Sequence, residues 1–133
     1  MSCVIGCKSV LGIVNLEILK KALEVTAKEQ GIEVGSSIKD HYGNSLTSYN
    51  GMQIIGALIT SNVSHGIGAA VDKEGKLHFV GDTHSCQSAF DTLKKRIELN
   101  YKKVVAILAC QAMGYQVVVK EKNGITIFEG VKQ

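Results

Sequence analysis

The densest concentration of reactive side chains in this sequence is Gly81-Asp82-Thr83-His84-Ser85-Cys86, which sets a carboxylate, two hydroxyls, an imidazole and a thiol in adjacent positions. The segment falls where a strand-like run, Leu77 to Val80, gives way to a long helical pattern that begins after Ser85. Backbone N–H groups at a helix N-terminus lack intrahelical partners and sit at the positive end of the dipole, so the position favours an anion and lowers the pKa of a thiol at the first helical residue. The same residues also suit a plain cap, with Asp82, Thr83 or Ser85 accepting from orphan N–H groups and Cys86 packing as a small apolar side chain. A Cys-His-Asp triad is the remaining reading. Triads are assembled from distant segments, not from adjacent residues, so no catalytic residue is assigned. Asp82, Thr83, His84, Ser85 and Cys86 form the first candidate ligand-binding set.

A second set comes from Gly35-Ser36-Ser37-Ile38-Lys39-Asp40-His41-Tyr42-Gly43-Asn44, where Lys39, His41 and Tyr42 supply a cation, an imidazole and an aromatic ring. That composition suits a small polar ligand such as a nucleotide, with backbone amides on phosphate and Tyr42 against a base; it equally suits a solvated loop. No Gly-rich phosphate-binding fingerprint accompanies it. Cys3, Cys7, His41, His65, His78, His84 and Cys86 are enough donors for zinc, but Cys3 and Cys7 have no second close pair and the histidines fall one per segment. No metal or cofactor is therefore expected. Lys94-Lys95-Arg96 and Lys102-Lys103 form a basic ridge on the long helix, read as a solvated face. Aromatic residues make up only 5% of the chain, too few for a stacking surface, and no nucleic-acid signature is present.

The elements that must position these residues follow from periodicity. Val4 to Val14 reads as an opening strand, with Gly6 and Gly12 marking a bulge or a close backbone approach. Asn15 caps a helix over Leu16–Gln30 that stops at Gly31. Ile32-Glu33-Val34 begins a second strand, and Gly35 to Gly51 is a loop or short irregular strand. Three β runs follow, Gln53–Ile59, His65–Val71 and Leu77–Val80, with Asp72-Lys73-Glu74-Gly75 as a turn. Phe90, Leu93, Ile97, Tyr101, Val104, Leu108 and Ala112 then stripe one face of the long helix, which Gly114 ends. Tyr115–Val119 and Ile125–Phe128 flank a turn at Glu121-Lys122-Asn123-Gly124. The order β-α-β-β-β-β-α-β-β predicts an α+β fold, a mostly antiparallel sheet covered by two helices, open to a ferredoxin-like pseudo-repeat.

The chain has 133 residues and 45% hydrophobic content, which together give one domain, 1–133, with a real core. Its net charge of +3 names no partner. The sequence shows neither a secretory leader nor an apolar run long enough to cross a membrane. Cys86 and Cys110 sit too far apart on one helix to bridge, and Cys3 and Cys7 too far apart on one strand, so a reduced cytoplasmic setting is expected. A helix of about 28 residues, ~42 Å long, outruns a globule with a radius of gyration near ~14 Å. Part of its stripe should meet a second copy, giving a homodimer or higher oligomer.

With these elements placed, the chain resembles the hypothetical chloroplast reading frame 35 family, a domain of unknown function found in plastids, cyanobacteria and other bacteria. The resemblance rests on Met1-Ser2 opening a strand, Leu16–Leu23, Phe90, Leu93, Ile97, Tyr101, Ala109–Met113, Gly114-Tyr115 and Gly124-Ile125-Thr126-Ile127. The chain departs from that pattern at Cys3, where the family commonly carries histidine. It departs again at Glu129-Gly130-Val131-Lys132-Gln133, where the family ends in an Arg-rich strand closed by tryptophan. The resemblance implies a fold and no activity. The functional expectation is a non-enzymatic binding or accessory protein, partnered by another protein or by further copies of itself. The alternative is a binder of a small anionic ligand or nucleotide at the N-terminus of the long helix, with a cysteine- or metal-dependent enzyme behind both.

Overall fold

The computed structural model describes residues 4–132. Strand β1 (Val4–Ile13) leads into helix α1 (Leu16–Glu29), whose entry is fixed by Asn15: its side-chain oxygen accepts from Ile18 N–H at 3.1 Å. Spacing alone explains which face of α1 turns inward, because Leu19, Ala22, Leu23, Thr26 and Ala27 recur at helical steps and all are buried. Gly31, at positive φ, ends the helix as expected.

The predicted strand at Ile32-Glu33-Val34 does not form. Ile32 N–H donates back to Ala27 O at 2.9 Å, Gly35 after the segment forms an isolated bridge with Ala57, and Val34 packs its side chain against the core instead of entering a ladder. The stretch predicted as irregular contains three two-residue strands, β2 (Ile38–Lys39), β3 (Ser45–Leu46) and β4 (Ser48–Tyr49). An antiparallel meander follows, β5 (Met52–Leu58), β6 (Ile67–Val71) and β7 (Lys76–Asp82), and β1 joins its far edge to give the order β1-β7-β6-β5-β4.

Both helices cover one face of this sheet, over Leu58, Ile67, Ala69, Leu77 and Phe79. The opposite face curls around a smaller cluster, Ile38, Ile54, Ala57, Ala70 and Val80. Tyr49, from the last strand of the sheet, reaches across the curl onto Gly6 of the first, where an added Cβ would lie 2.8 Å from the ring. Gly6 is thus the close approach its sequence position suggested. Gly12, at φ +66, lies within the break in the β1 ladder between Lys8 and Ile13.

Helix α2 (Gln87–Ala112) is continuous through Asn100. Phe90, Leu93, Ile97 and Val104 of its stripe are buried, and two polar residues share that burial. Glu98 accepts from Ser9 Oγ at 2.6 Å and from Val10 N–H at 3.2 Å, which supports β1 where its ladder is broken. Asn100 donates to Thr26 Oγ1 at 2.9 Å and to Glu29 Oε1 at 2.7 Å, while Arg96 closes a two-pronged pair on Glu29. These polar contacts lock α2 to α1 beside the apolar cluster that the two helices share. Beyond Val104 the stripe emerges: Leu108 is 48% exposed and Ala112 is exposed.

Strands β8 (Tyr115–Lys122) and β9 (Ile125–Lys132) pair with each other around Asn123-Gly124, both at positive φ as an Asn-Gly hairpin turn requires. They form their own two-stranded sheet, so the second half of the chain does not return to the main sheet as a ferredoxin-like pseudo-repeat would. The class remains α+β, two helices on a mostly antiparallel curled sheet. No helix among the described residues is long and apolar enough to cross a membrane.

Candidate functional site

An antiparallel meander places alternate turns at opposite ends of its sheet. The β5–β6 loop and the β7–α2 turn therefore share one end, and between them lies a cleft of about 340 Å³. The turn contributes Asp82, His84, Ser85 and Cys86, and the loop contributes Asn62, Ser64 and His65. His41 completes the lining from the β2–β3 segment. That segment is anchored beside the cleft because Lys39 N–H donates to His65 O at 2.8 Å, and Asp40 fixes the following turn by accepting from Tyr42 N–H and Asn44 N–H.

Two candidate sets that are far apart in sequence thus meet in part. His41 joins Asp82, His84, Ser85 and Cys86, whereas three other predicted residues do not line the cleft. The Lys39 side chain is exposed and only its backbone takes part. Tyr42 is 80% exposed and meets the His41 ring edge-on, at 5.2 Å between centroids. Thr83 offers its carbonyl to Cys86 N–H inside the turn.

Asp82 is the buried centre of the site, at 4% exposure. One carboxylate oxygen accepts from His84 N–H at 3.0 Å, and the other lies 3.5 Å from His65 Nδ1. A carboxylate so far from water needs such partners, and the pair ties the β5–β6 loop to the end of β7. Ser85 reverses the chain into α2 at φ +64, the left-handed region that strains a residue with a Cβ.

The expected cap is not made. Cys86 occupies the N-cap of α2 without a side-chain hydrogen bond to the helix, and the first turn holds no acidic residue. Asp82 is already committed to His84 and His65, and the first intrahelical bond is Phe90 N–H to Cys86 O. The helix end consequently presents its amides without side-chain compensation. The thiol also departs from expectation. Burial pushes Cys86 up from its ordinary value, and the Asp82 carboxylate beside it pushes the same way. Desolvation and a like charge both disfavour the thiolate, so Cys86 is held as a thiol.

The zinc reading requires donors that converge, and among the described residues no three His, Cys, Asp or Glu side chains are grouped to hold a metal ion. Cys3 lies outside the described residues. Cys7 packs against the helix-covered core, and Cys110 sits near Gly130 of β9. On the basic ridge Lys95 and Lys102 are solvated, while Arg96 is engaged with Glu29.

Sequence reasoning missed Asn62 and Ser64 and weighed His65 only as a zinc donor. The signal was available: Asn62 and Ser64 are polar residues between two β runs, His65 opens the second, and the alternation of turns in a meander puts them at the same end as Asp82. Fold and site together define a small α+β domain with a polar, histidine-rich cleft at the N-terminus of its long helix. Comparisons with protein-family models, with curated proteins and with solved structures found no match.

Proposed function

We propose that the chain is a non-enzymatic binding protein whose cleft at the N-terminus of α2 holds a small anionic ligand, a phosphate or a phosphate-bearing molecule. The observation that carries this reading is the convergence of His41, His65 and His84 with Asn62 and Ser64 on one cleft beside the N-terminus of a 26-residue helix. Imidazoles and amides donate to oxyanions, and the helix dipole adds to them. The raised pKa of Cys86 favours binding over nucleophilic chemistry, because the thiolate is the reactive form. The test is calorimetric titration of the purified chain with inorganic phosphate and with adenosine monophosphate. Saturable binding that weakens about tenfold, a loss near ~1.4 kcal/mol, in Asn62→Ala or His84→Gln supports the reading. Binding that is absent, or indifferent to both substitutions, overturns it.

A distinct observation favours self-association as well. Val105, Leu108 and Met113 are 42%, 48% and 68% exposed, and Val104 to Val119 contains no charged residue. A charge-free apolar surface is self-complementary without any pairing of opposite charges, which suits a second copy across a two-fold axis. Leu108→Glu should shift light-scattering mass from dimer to monomer; a wild-type chain that stays monomeric at high concentration removes the proposal. Framework positions support kinship with the plastid reading-frame family, since Phe90, Leu93 and Ile97 are buried and Gly114 lies at positive φ. Free thiols at Cys7, Cys86 and Cys110 support the cytoplasm as the place of work.

A further inference from the structure

The other end of the curled sheet carries a second opening. The β4–β5 turn and the β6–β7 turn flank a cleft of about 570 Å³ whose walls include Gly6, Tyr49, Met52, Lys73 and His78. His78 and Asp82 lie on the same face of β7, separated by buried Val80, so the small core of the curl divides this cleft from the one beside α2. We propose that this second mouth is a binding site for a small planar organic anion, with the negative group at Lys8 and Lys73 and the flat body against Tyr49.

One wall of the site is held in place by hydrogen bonds. His78 Nε2 is 2.8 Å from Asp72 Oδ2, and Asp72 Oδ1 accepts from Glu74 N–H and Lys76 N–H, so the imidazole is oriented by a carboxylate that is itself fixed to the turn. Lys8 stands directly across the ladder from His78, and opposed residues of an antiparallel pair share a face. Neither Lys8 nor Lys73 makes an ion pair among the described residues. Asp72, the carboxylate among the described wall residues, is turned onto His78 and the turn amides and pairs with neither ammonium group.

The flat side comes from the contact that closes the curl. Tyr49 lies over Gly6, where no side chain competes for the ring's neighbourhood, and Met52 adds a polarizable thioether beside it. Asn50 and Gly51, both at positive φ, fix the β4–β5 turn as a tight rim, and a Cβ at Gly51 would meet nothing within 4 Å. An open slot walled by an aromatic ring and rimmed by lysine side chains selects for a ring that carries a negative charge.

The experiment is an NMR titration of isotope-labelled protein with sodium benzoate, using inorganic phosphate as the anion without a ring and benzyl alcohol as the ring without a charge. Benzoate should move the amide signals of Gly6, Tyr49, Gly51 and Lys73 saturably, with both controls about tenfold weaker. Lys73→Gln, at an exposed position, should weaken benzoate several-fold in a protein whose remaining spectrum is unchanged, and Tyr49→Leu, which also loosens the contact on Gly6, should weaken it more. His65→Gln, at the other cleft, should leave benzoate binding as it was. No saturable shift at these four residues, equal binding of phosphate, or indifference to both Lys73→Gln and Tyr49→Leu overturns the proposal. Phosphate shifts confined to His41, Asn62–His65 and Asp82–Cys86 belong to the first site and leave these controls readable.

Discussion

Gly81 is the point at which one methyl group should disturb three elements together. It does not lie at positive φ, so alanine is conformationally allowed and any penalty is steric. A Cβ there would sit 2.5 Å from Phe90 Cε2 and 2.8 Å from the carbonyl oxygen of Gly66. Phe90 belongs to the first turn of α2 and is 1% exposed, so its ring has nowhere to move. Gly66 is backbone at the end of the β5–β6 loop, which cannot step aside by rotating a side chain. Overpacking of this kind costs about 1–3 kcal/mol, and the backbone contact places Gly81→Ala toward the upper part of that range. The loss of unfolded-state freedom on replacing glycine returns about 0.4–1 kcal/mol. The net expectation is a destabilisation of about 2 kcal/mol, or roughly 8 °C in Tm at ~4 °C per kcal/mol for a chain of this size.

Urea unfolding followed by far-UV circular dichroism measures it, with Gly35→Ala as the control. At Gly35 the nearest atom to an added Cβ is Ala57 O at 3.6 Å, an ordinary contact, and φ is not positive. That variant should stay within about 0.5 kcal/mol of the parent or gain slightly. The same wedge would part the loop bearing Asn62, Ser64 and His65 from the turn bearing Asp82 and Cys86, so phosphate binding should weaken along with stability. A Gly81→Ala chain with the urea midpoint of its parent would refute the reasoning, because the predicted clash would then have been relieved at no cost.

Two further outcomes follow from the charged groups. Asp72 is held down from 3.8 to about 2, chiefly by its hydrogen bond from His78 and then by Lys76 N–H. A carboxyl with a lower pKa folded than unfolded contributes stability that is complete above its unfolded value and is lost as pH falls through the folded one. The stability gap between the parent and Asp72→Asn should therefore narrow between about pH 5 and pH 2, and a gap that stays constant over that window contradicts the assignment. Cys86 should alkylate more slowly in the folded protein than in urea, as followed by peptide mapping. Asp82→Asn should speed it by removing one of the two causes of its raised pKa; faster labelling of the native thiol than of the unfolded one is the contrary result.

The helices, the glycine stops and the hairpin turn were legible in the sequence because each depends on local chemistry. Asn15 caps α1, Gly31 and Gly114 take positive φ, and Asn123-Gly124 turns the last hairpin whatever lies elsewhere in the chain. What was not legible depends on partners far away in sequence. Ile32-Glu33-Val34 has the composition of a strand, yet tertiary packing sets Val34 against the core and leaves the segment outside any ladder. Glu98 and Asn100 look like solvent-facing residues until Ser9, Thr26 and Glu29 are brought beside them. Periodicity reports which face of a helix turns inward, but it cannot report that a polar residue on that face has a partner waiting.

The candidate site divides along the same line. His84, Ser85 and Cys86 were found because helix ends are written locally, whereas the thiol's pKa was misjudged because burial and the neighbouring Asp82 carboxylate come from the fold. The curl of the sheet matters more than either. It sets His78 and Asp82 at opposite ends of one strand face, each beside a partner, Asp72 for His78 and His65 for Asp82. The two pairs are reciprocal: a buried carboxylate takes an imidazole at one end, and at the other an imidazole is oriented by a carboxylate fixed to a turn. Both openings owe their separation to the few apolar side chains around Val80, and the ring of Tyr49 over Gly6 is what keeps that small core closed. A substitution that opened the curl at Gly6 would therefore alter both clefts together, whereas changes at His65 or Lys73 should remain local to one.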